Sequence, residues 1–148
     1  MWNDFTEANP RFKNEEIPDA DYFHTNEADA NRLAALIVAK KKKAGPGLYF
    51  WYQKANANLS KIKTKSIVTT FDGKAKAIIK IVQVDTIPFN QIPVTSAELD
   101  MGTKIEALKK WKKAHWDFFA NTMKDSAKQP TEEMLIVCEQ FETIWPQM

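Results

Sequence analysis

A chain of 148 residues, 44% of them hydrophobic and 27% charged, is long enough to bury a core and has the make-up of a single folded domain. Its longest apolar run, Leu33 to Ala39, is too short to span a bilayer, and the opening "MWNDFTEANPRF" has neither the basic start nor the apolar stretch of a signal peptide. The single cysteine, Cys138, excludes an internal disulfide and a cysteine-based metal cluster, and two distant histidines argue against structural zinc, so the expectation is a cytoplasmic protein without membrane contact, metal or cofactor.

The net charge of +2 conceals a strong segregation. Met1 to Asp29 carries eight acidic and two basic residues, whereas Ala30 to Phe71 carries nine basic residues and no acidic one. A stripe of this kind attracts phosphates when its members converge in space, although the acidic segment can also fold back and neutralise it. Only Arg11 and Arg32 among the basic residues are arginines, which argues for point-charge contacts more than bidentate recognition.

In chain order, residues 1–25 are expected to form an acidic extension, a short helix and loop packing on the body through Trp2, Phe5, Phe12, Tyr22 and Phe23. The periodicity of "NEADANRLAALIVAKKKK" predicts a helix beginning near Asn26, with Ala30, Leu33, Ala34, Ile37 and Val38 on one face. Lysines 40–43 then complement the helix dipole and Gly45-Pro46 closes the helix, which by itself accounts for the run. "LYFWY" reads as a strand with aromatics on alternate faces, and "SIVTTFDGKAKAIIKIVQV" as a hairpin turning at Asp72-Gly73 in a type I′ geometry. "DTIPFNQIPVTSAELDMG", with two prolines, reads as a loop. A helix from about Lys104 to Lys124 follows, apolar at Ile105, Leu108, Trp111, His115, Phe118 and Phe119, and "EEMLIVCEQFETIW" supplies the last strand. The order of elements predicts an α+β domain with a small barrel-like sheet.

No zinc-protease, dinucleotide-binding or nucleophile-elbow motif is present, and "KKKKAGPG" is not a phosphate-binding loop because its lysines precede the glycines. Cys138 lies among apolar neighbours and reads as a small buried residue; His115 reads as a satisfied core histidine or a catalytic one.

Taken together and in order, "ANRLAALIVAKKKKAGPGLYFWY", "SIVTTFDGKAKAIIKIVQVDTIPFNQI", "LKKWKKAHWDFF" and "MLIVCEQFETIW" resemble the ASCH domain, in the longer bacterial form described as RNA-binding. The resemblance spans about residues 22 to 145. It implies a PUA-like β-barrel flanked by helices, with RNA or a modified nucleoside or nucleotide as partner. The family's cleft motif, G-x-K-x-x-T, falls on Lys40, Lys42 and Gly45, so the lysine is retained while the glycine and the threonine are replaced. The cleft acid falls on Asp100, three residues after Ala97, with Glu98 as a competing assignment. Two functions follow from the resemblance. In one, Lys40, Lys41, Lys42, Lys43 and Gly45, with Tyr49, Trp51 and Tyr52, line a cleft that binds RNA or a nucleotide. In the other, Lys42 works with Asp100 or Glu98 in a diverged amidohydrolase acting on acylated nucleosides such as N4-acetylcytidine, and the hydroxyl missing at position 45 weakens that chemistry.

Overall fold

The computed structural model describes residues 1–147. Helix α1 (Trp2–Ala8) and a 3₁₀ turn (Pro10–Phe12) precede a two-residue strand β1 (Ala20–Asp21) and helix α2 (Glu27–Val38). Strand β2 (Ala44–Leu48) runs into a short helix α3 (Tyr49–Lys54); strands β3 (Lys65–Thr69) and β4 (Ala75–Pro88) form a hairpin. A second 3₁₀ turn (Phe89–Gln91), helices α4 (Val94–Met101) and α5 (Ala107–Met123), and strand β5 (Leu135–Trp145) complete the chain. The five strands form one sheet in the order β1-β3-β4-β5-β2, antiparallel except for the β1–β3 pair. The α+β class is as expected, but the sheet is not closed into a barrel: β1 and β2 are edges without a pairing between them.

Side-chain alternation sorts the core by face. Val68, Ala77, Ile79, Ile81 and Phe141 pack with Ala34 and Ile37 of α2, while the intervening Ile67 and Ile78 pack with Trp2 and Phe5 of α1. The N-terminal segment therefore belongs to the packed body. A shift of register where Val82 interrupts the β4–β5 ladder bends the sheet, and beyond it Leu48, Ile136 and Cys138 pack with Phe89, Trp111 and Phe119 under α4 and α5.

Four local expectations are corrected. "LYFWY" is not a strand: Leu48 ends β2, and Tyr49 to Tyr52 lie in α3. The strand is instead "AGPGL", whose poor intrinsic β preference is overridden by a five-residue ladder with β5. Pro46, lacking an N–H, is tolerated there because β2 is an edge. The segment read as a loop continues β4 to Pro88 and then forms α4, started after Pro93 and ended by Gly102 at φ 69°. The β3–β4 turn is not type I′, since Gly73 (φ 90°) has positive φ and Asp72 does not; Gly73 N–H donates to Thr70 O across a four-residue turn. Ile105 precedes α5 and is exposed instead of belonging to its apolar face.

Helix α2 begins where expected, with the Asn26 side chain accepting from the Asp29 N–H. Its end is set by backbone geometry and not by Gly45-Pro46. Lys40 adopts φ 60°, the Lys40 N–H donates to Ile37 O, and the Lys41 N–H donates to Leu36 O. This is the paired hydrogen-bond pattern that normally places glycine at the left-handed position. A lysine there carries a steric cost that glycine avoids. Lys40→Gly is expected to stabilise the domain by about 1 kcal/mol, read as a raised denaturant midpoint at unchanged slope.

Candidate functional site

The left-handed turn at Lys40 sends successive lysines in different directions. Lys40, Lys41 and Lys43 are exposed, while Lys42 is 3% exposed and turned inward. The Lys43 backbone anchors the segment on both sides, donating to Leu99 O (2.7 Å) and accepting from the Phe141 N–H (2.9 Å). Gly102 allows α4 to end against this segment, since a Cβ at that position would lie 3.3 Å from Lys41 O.

Inside, the Lys42 ammonium donates to Ala44 O (2.7 Å), to Asp100 O (3.1 Å) and to the Asp100 carboxylate. Its three protons thus have three acceptors. The second Asp100 oxygen accepts from Trp111 Nε1 (2.8 Å), and His115 Nε2 lies 3.7 Å from the same oxygen. Asp100 is 5% exposed, so the pair is desolvated and its stability depends on this full set of hydrogen bonds. His115 Nδ1 is 2.9 Å from Trp111 O, which assigns the ring proton to Nδ1 and leaves Nε2 as an acceptor in the neutral imidazole. Burial pushes the His115 pKa below its ordinary value; the Asp100 carboxylate opposes this and the Lys42 charge adds to it. His115 is therefore a neutral base near pH 7, satisfied on one nitrogen and open on the other.

Lys42, Asp100 and His115 form the floor of a cavity of about 150 Å³. Phe23 and Phe118 supply aromatic walls, Leu36 and Met101 apolar ones, and the exposed Arg32 stands at the rim, bonded to Asp29 (3.1 Å). His24 also lines it, with its ring 4.7 Å from that of Phe118. Position 45 explains how Phe23 arrives here: a Cβ on Gly45 would meet the Phe23 ring at 3.3 Å. Phe23 also places its ring 5.6 Å from the Lys42 ammonium.

Of the residues expected at one cleft, Lys42 and Asp100 are brought together. Glu98 does not line this cavity: two residues from Asp100 on α4, it points to a different side of the helix. The four lysines do not share a cleft: Lys40 and Lys43 border a different groove, with Leu99 and Thr143. Nor do the aromatics of α3 join them. Trp51 packs against the core under α4 and α5, and Tyr52 and Gly45 border a third depression beside Glu139. Burial and the Glu139 charge raise the Tyr52 pKa. Cys138 is buried, its thiol pushed up to about 12 by burial and then by the Asp100 and Asp85 charges, which removes it as a nucleophile. Phe23, His24 and Arg32 went unrecognised as site residues because no motif marks them; Phe118 was legible only as a member of an apolar helix face.

The model of the ASCH domain matches residues 19–145. The chain belongs to the ASCH domain family. Two solved structures share the fold of this ASCH domain. One is the ASCH domain from Lactobacillus crispatus JV V101, 28% identical at a TM-score of 0.87 over 96% of this chain and 90% of that one. The other is protein EF3133 from Enterococcus faecalis V583, 25% identical at a TM-score of 0.85 over 97% of this chain and 85% of that one. No curated protein matches the chain significantly. Among the described residues, no helix is long and apolar enough to cross a membrane.

Proposed function

We propose that this ASCH domain binds RNA or a nucleotide by seating a base in the cavity over the Lys42–Asp100 pair. The observation that supports this most is the combination of aromatic walls with a floor of buried, oriented polar groups. Aromatic faces stack on bases of any sequence, while fixed polar groups select among base edges. The volume, near 150 Å³, is below the roughly 300–1,000 Å³ typical of drug-sized ligands and suits one base with its sugar and phosphate outside. Arg32, exposed and lining the same cavity, is a cation that an emerging phosphate could share with Asp29. Lys42 holds Asp100 in place and has no proton to spare for a ligand, so the groups open to a base are His115 Nε2 and the carboxylate oxygen beside it. That pair of acceptors selects an edge carrying an N–H donor.

The test is a panel of nucleosides and 5′-monophosphates, read by thermal shift and calorimetry on wild type and Phe118→Ala. A ligand of the folded state raises its stability, and losing the stacking wall weakens binding by roughly 10-fold or more. No stabilisation by any member of the panel, or equal affinity in Phe118→Ala, rejects the proposal.

The neutral His115 supports a second reading, hydrolysis of an acylated nucleoside. With no hydroxyl at position 45, the nucleophile would be water. Nε2 would take its proton as the oxygen adds to the acetyl carbonyl and would return it to N4 as the amide C–N bond breaks, giving acetate and cytidine, while the Lys42–Asp100 pair would keep the imidazole neighbourhood fixed. Incubation with N4-acetylcytidine, following release of cytidine and acetate, separates the readings: turnover by wild type that disappears in His115→Gln supports hydrolysis, and its absence in wild type leaves binding alone.

A further inference from the structure

Two depressions on the α1-bearing face of the sheet, of about 410 and 360 Å³, share Lys40, Glu142 and Thr143 and so form one continuous groove. At one end is Lys43; Lys40 stands at the shared middle; Lys65, Lys80 and Arg11 gather at the other end. Among the described residues five cations thus line the groove, where Glu142 also lies and where Glu15 pairs with Lys65. The residues come from four separate places: the N-terminal turn, the end of α2, and strands β3 and β4. No helical or strand period imposes such a convergence.

Its most telling contact is between strands. Lys65 and Lys80 are directly opposite in the β3–β4 register. Like charges in that position are unfavourable. They are tolerated because Glu15 pairs with Lys65 (3.1 Å) and Glu142 with Lys80 (3.0 Å). Lys80 and Glu142 are both partly exposed, so an incoming anion can compete for Lys80, whereas Lys65, 10% exposed, stays held by Glu15 and over the Phe12 ring. Glu15 also belongs to the acidic N-terminal stretch, which meets the basic stripe here only in part.

The groove and the cavity flank the same junction. Lys42 and Asp100 face the cavity, whereas their chain neighbours Lys43 and Leu99 face the groove. We propose that the groove holds the phosphate backbone of a single-stranded RNA. This inference rests on the reading of the cavity as a base site and makes the ligand a polynucleotide instead of a free nucleotide. A single strand fits better than a duplex because the cations follow one track, bottomed by the sheet and by Phe5 and Phe12. Lysines acting as point charges hold phosphates without reading sequence.

The experiment is fluorescence anisotropy of a short, mixed-sequence, labelled single-stranded RNA across a salt series. Wild type is compared with Arg11→Gln/Lys43→Gln in the groove and with Lys109→Gln/Lys110→Gln, an equal charge change on exposed residues of α5. Each lost phosphate contact lowers the slope of log affinity against log salt by about 0.7. The groove variant is expected to bind at least 10-fold more weakly at low salt with a slope lower by about 1.4, and the α5 variant to stay within about 2-fold of wild type. Equal losses in the two variants, an unchanged slope, or tighter binding of a duplex DNA of the same length overturns the groove. Nucleotides that bind wild type and fail to bind Phe118→Ala, with no RNA binding at any salt, overturn the groove and leave the cavity reading standing. Absence of both nucleotide and RNA binding overturns the two together.

Discussion

Replacing Lys42 with methionine is expected to cost about 3–5 kcal/mol, the range for breaking a buried ion pair from one side. The loss comes mostly from what remains. Asp100 keeps one hydrogen bond, from Trp111 Nε1, but its other oxygen and the carbonyls of Ala44 and Asp100 lose the donor that satisfied them. Asp100→Leu should cost a similar amount by stranding the ammonium. The double variant Lys42→Met/Asp100→Leu should recover a large part of the sum, because removing both charges removes the desolvation penalty as well. Urea unfolding of the four proteins gives the coupling energy directly. A double variant as unstable as the two losses added would mean that the residues do not act as a pair. The same set separates stability from ligand binding when the nucleotide panel is repeated at a temperature where all four are folded.

Trp111→Ala is expected to cost about 3–5 kcal/mol, as for other large buried aromatics. Trp111 is 2% exposed and packs its indole 5.4 Å from the Phe89 ring and 4.5 Å from the His115 ring. It joins the core under α4 and α5 to the polar floor of the cavity. Trp111→Phe isolates the second role. It keeps most of the apolar volume but withdraws the N–H from Asp100, at a cost of about 1–3 kcal/mol for a buried acceptor left unsatisfied. A Phe variant as damaging as Ala would place nearly all of the residue's worth in that hydrogen bond; one indistinguishable from wild type would show that water or His115 takes over the acceptor. Chemical denaturation measures both.

What was legible in the sequence follows from which signals are local. Helices α2 and α5, the β3–β4 hairpin and β5 were readable because period and turn residues agree with the burial they acquire. Strand β2 was not, because its residues have little β preference and the ladder with β5, some ninety positions away, decides the matter. Helix α4 had a usable signal that the two prolines obscured: a proline just before, and a glycine just after, an eight-residue segment is the usual punctuation of a short helix. The site was half legible. Lys42 and Asp100 emerged from the family motif, but the separation of Lys42 from its neighbours required the positive φ at Lys40, which a run of four identical residues conceals. The cavity walls, from Phe23 before α2 and Phe118 on α5, depend on tertiary contacts and carry no sequence mark.

An open sheet has two edge strands, and one of them is blunted by the residue that also builds the site. The outer edge of β2 is largely covered, with Ala44 and Leu48 buried and Leu48 packed with Ala97 of α4; Pro46 supplies no N–H there and the Ala44 carbonyl already accepts from Lys42. A second molecule laying a strand along β2 would meet a missing donor and an occupied acceptor within three residues. Lys42 therefore closes part of this strand edge while it holds Asp100, and a variant lacking its ammonium frees the Ala44 carbonyl along with the carboxylate.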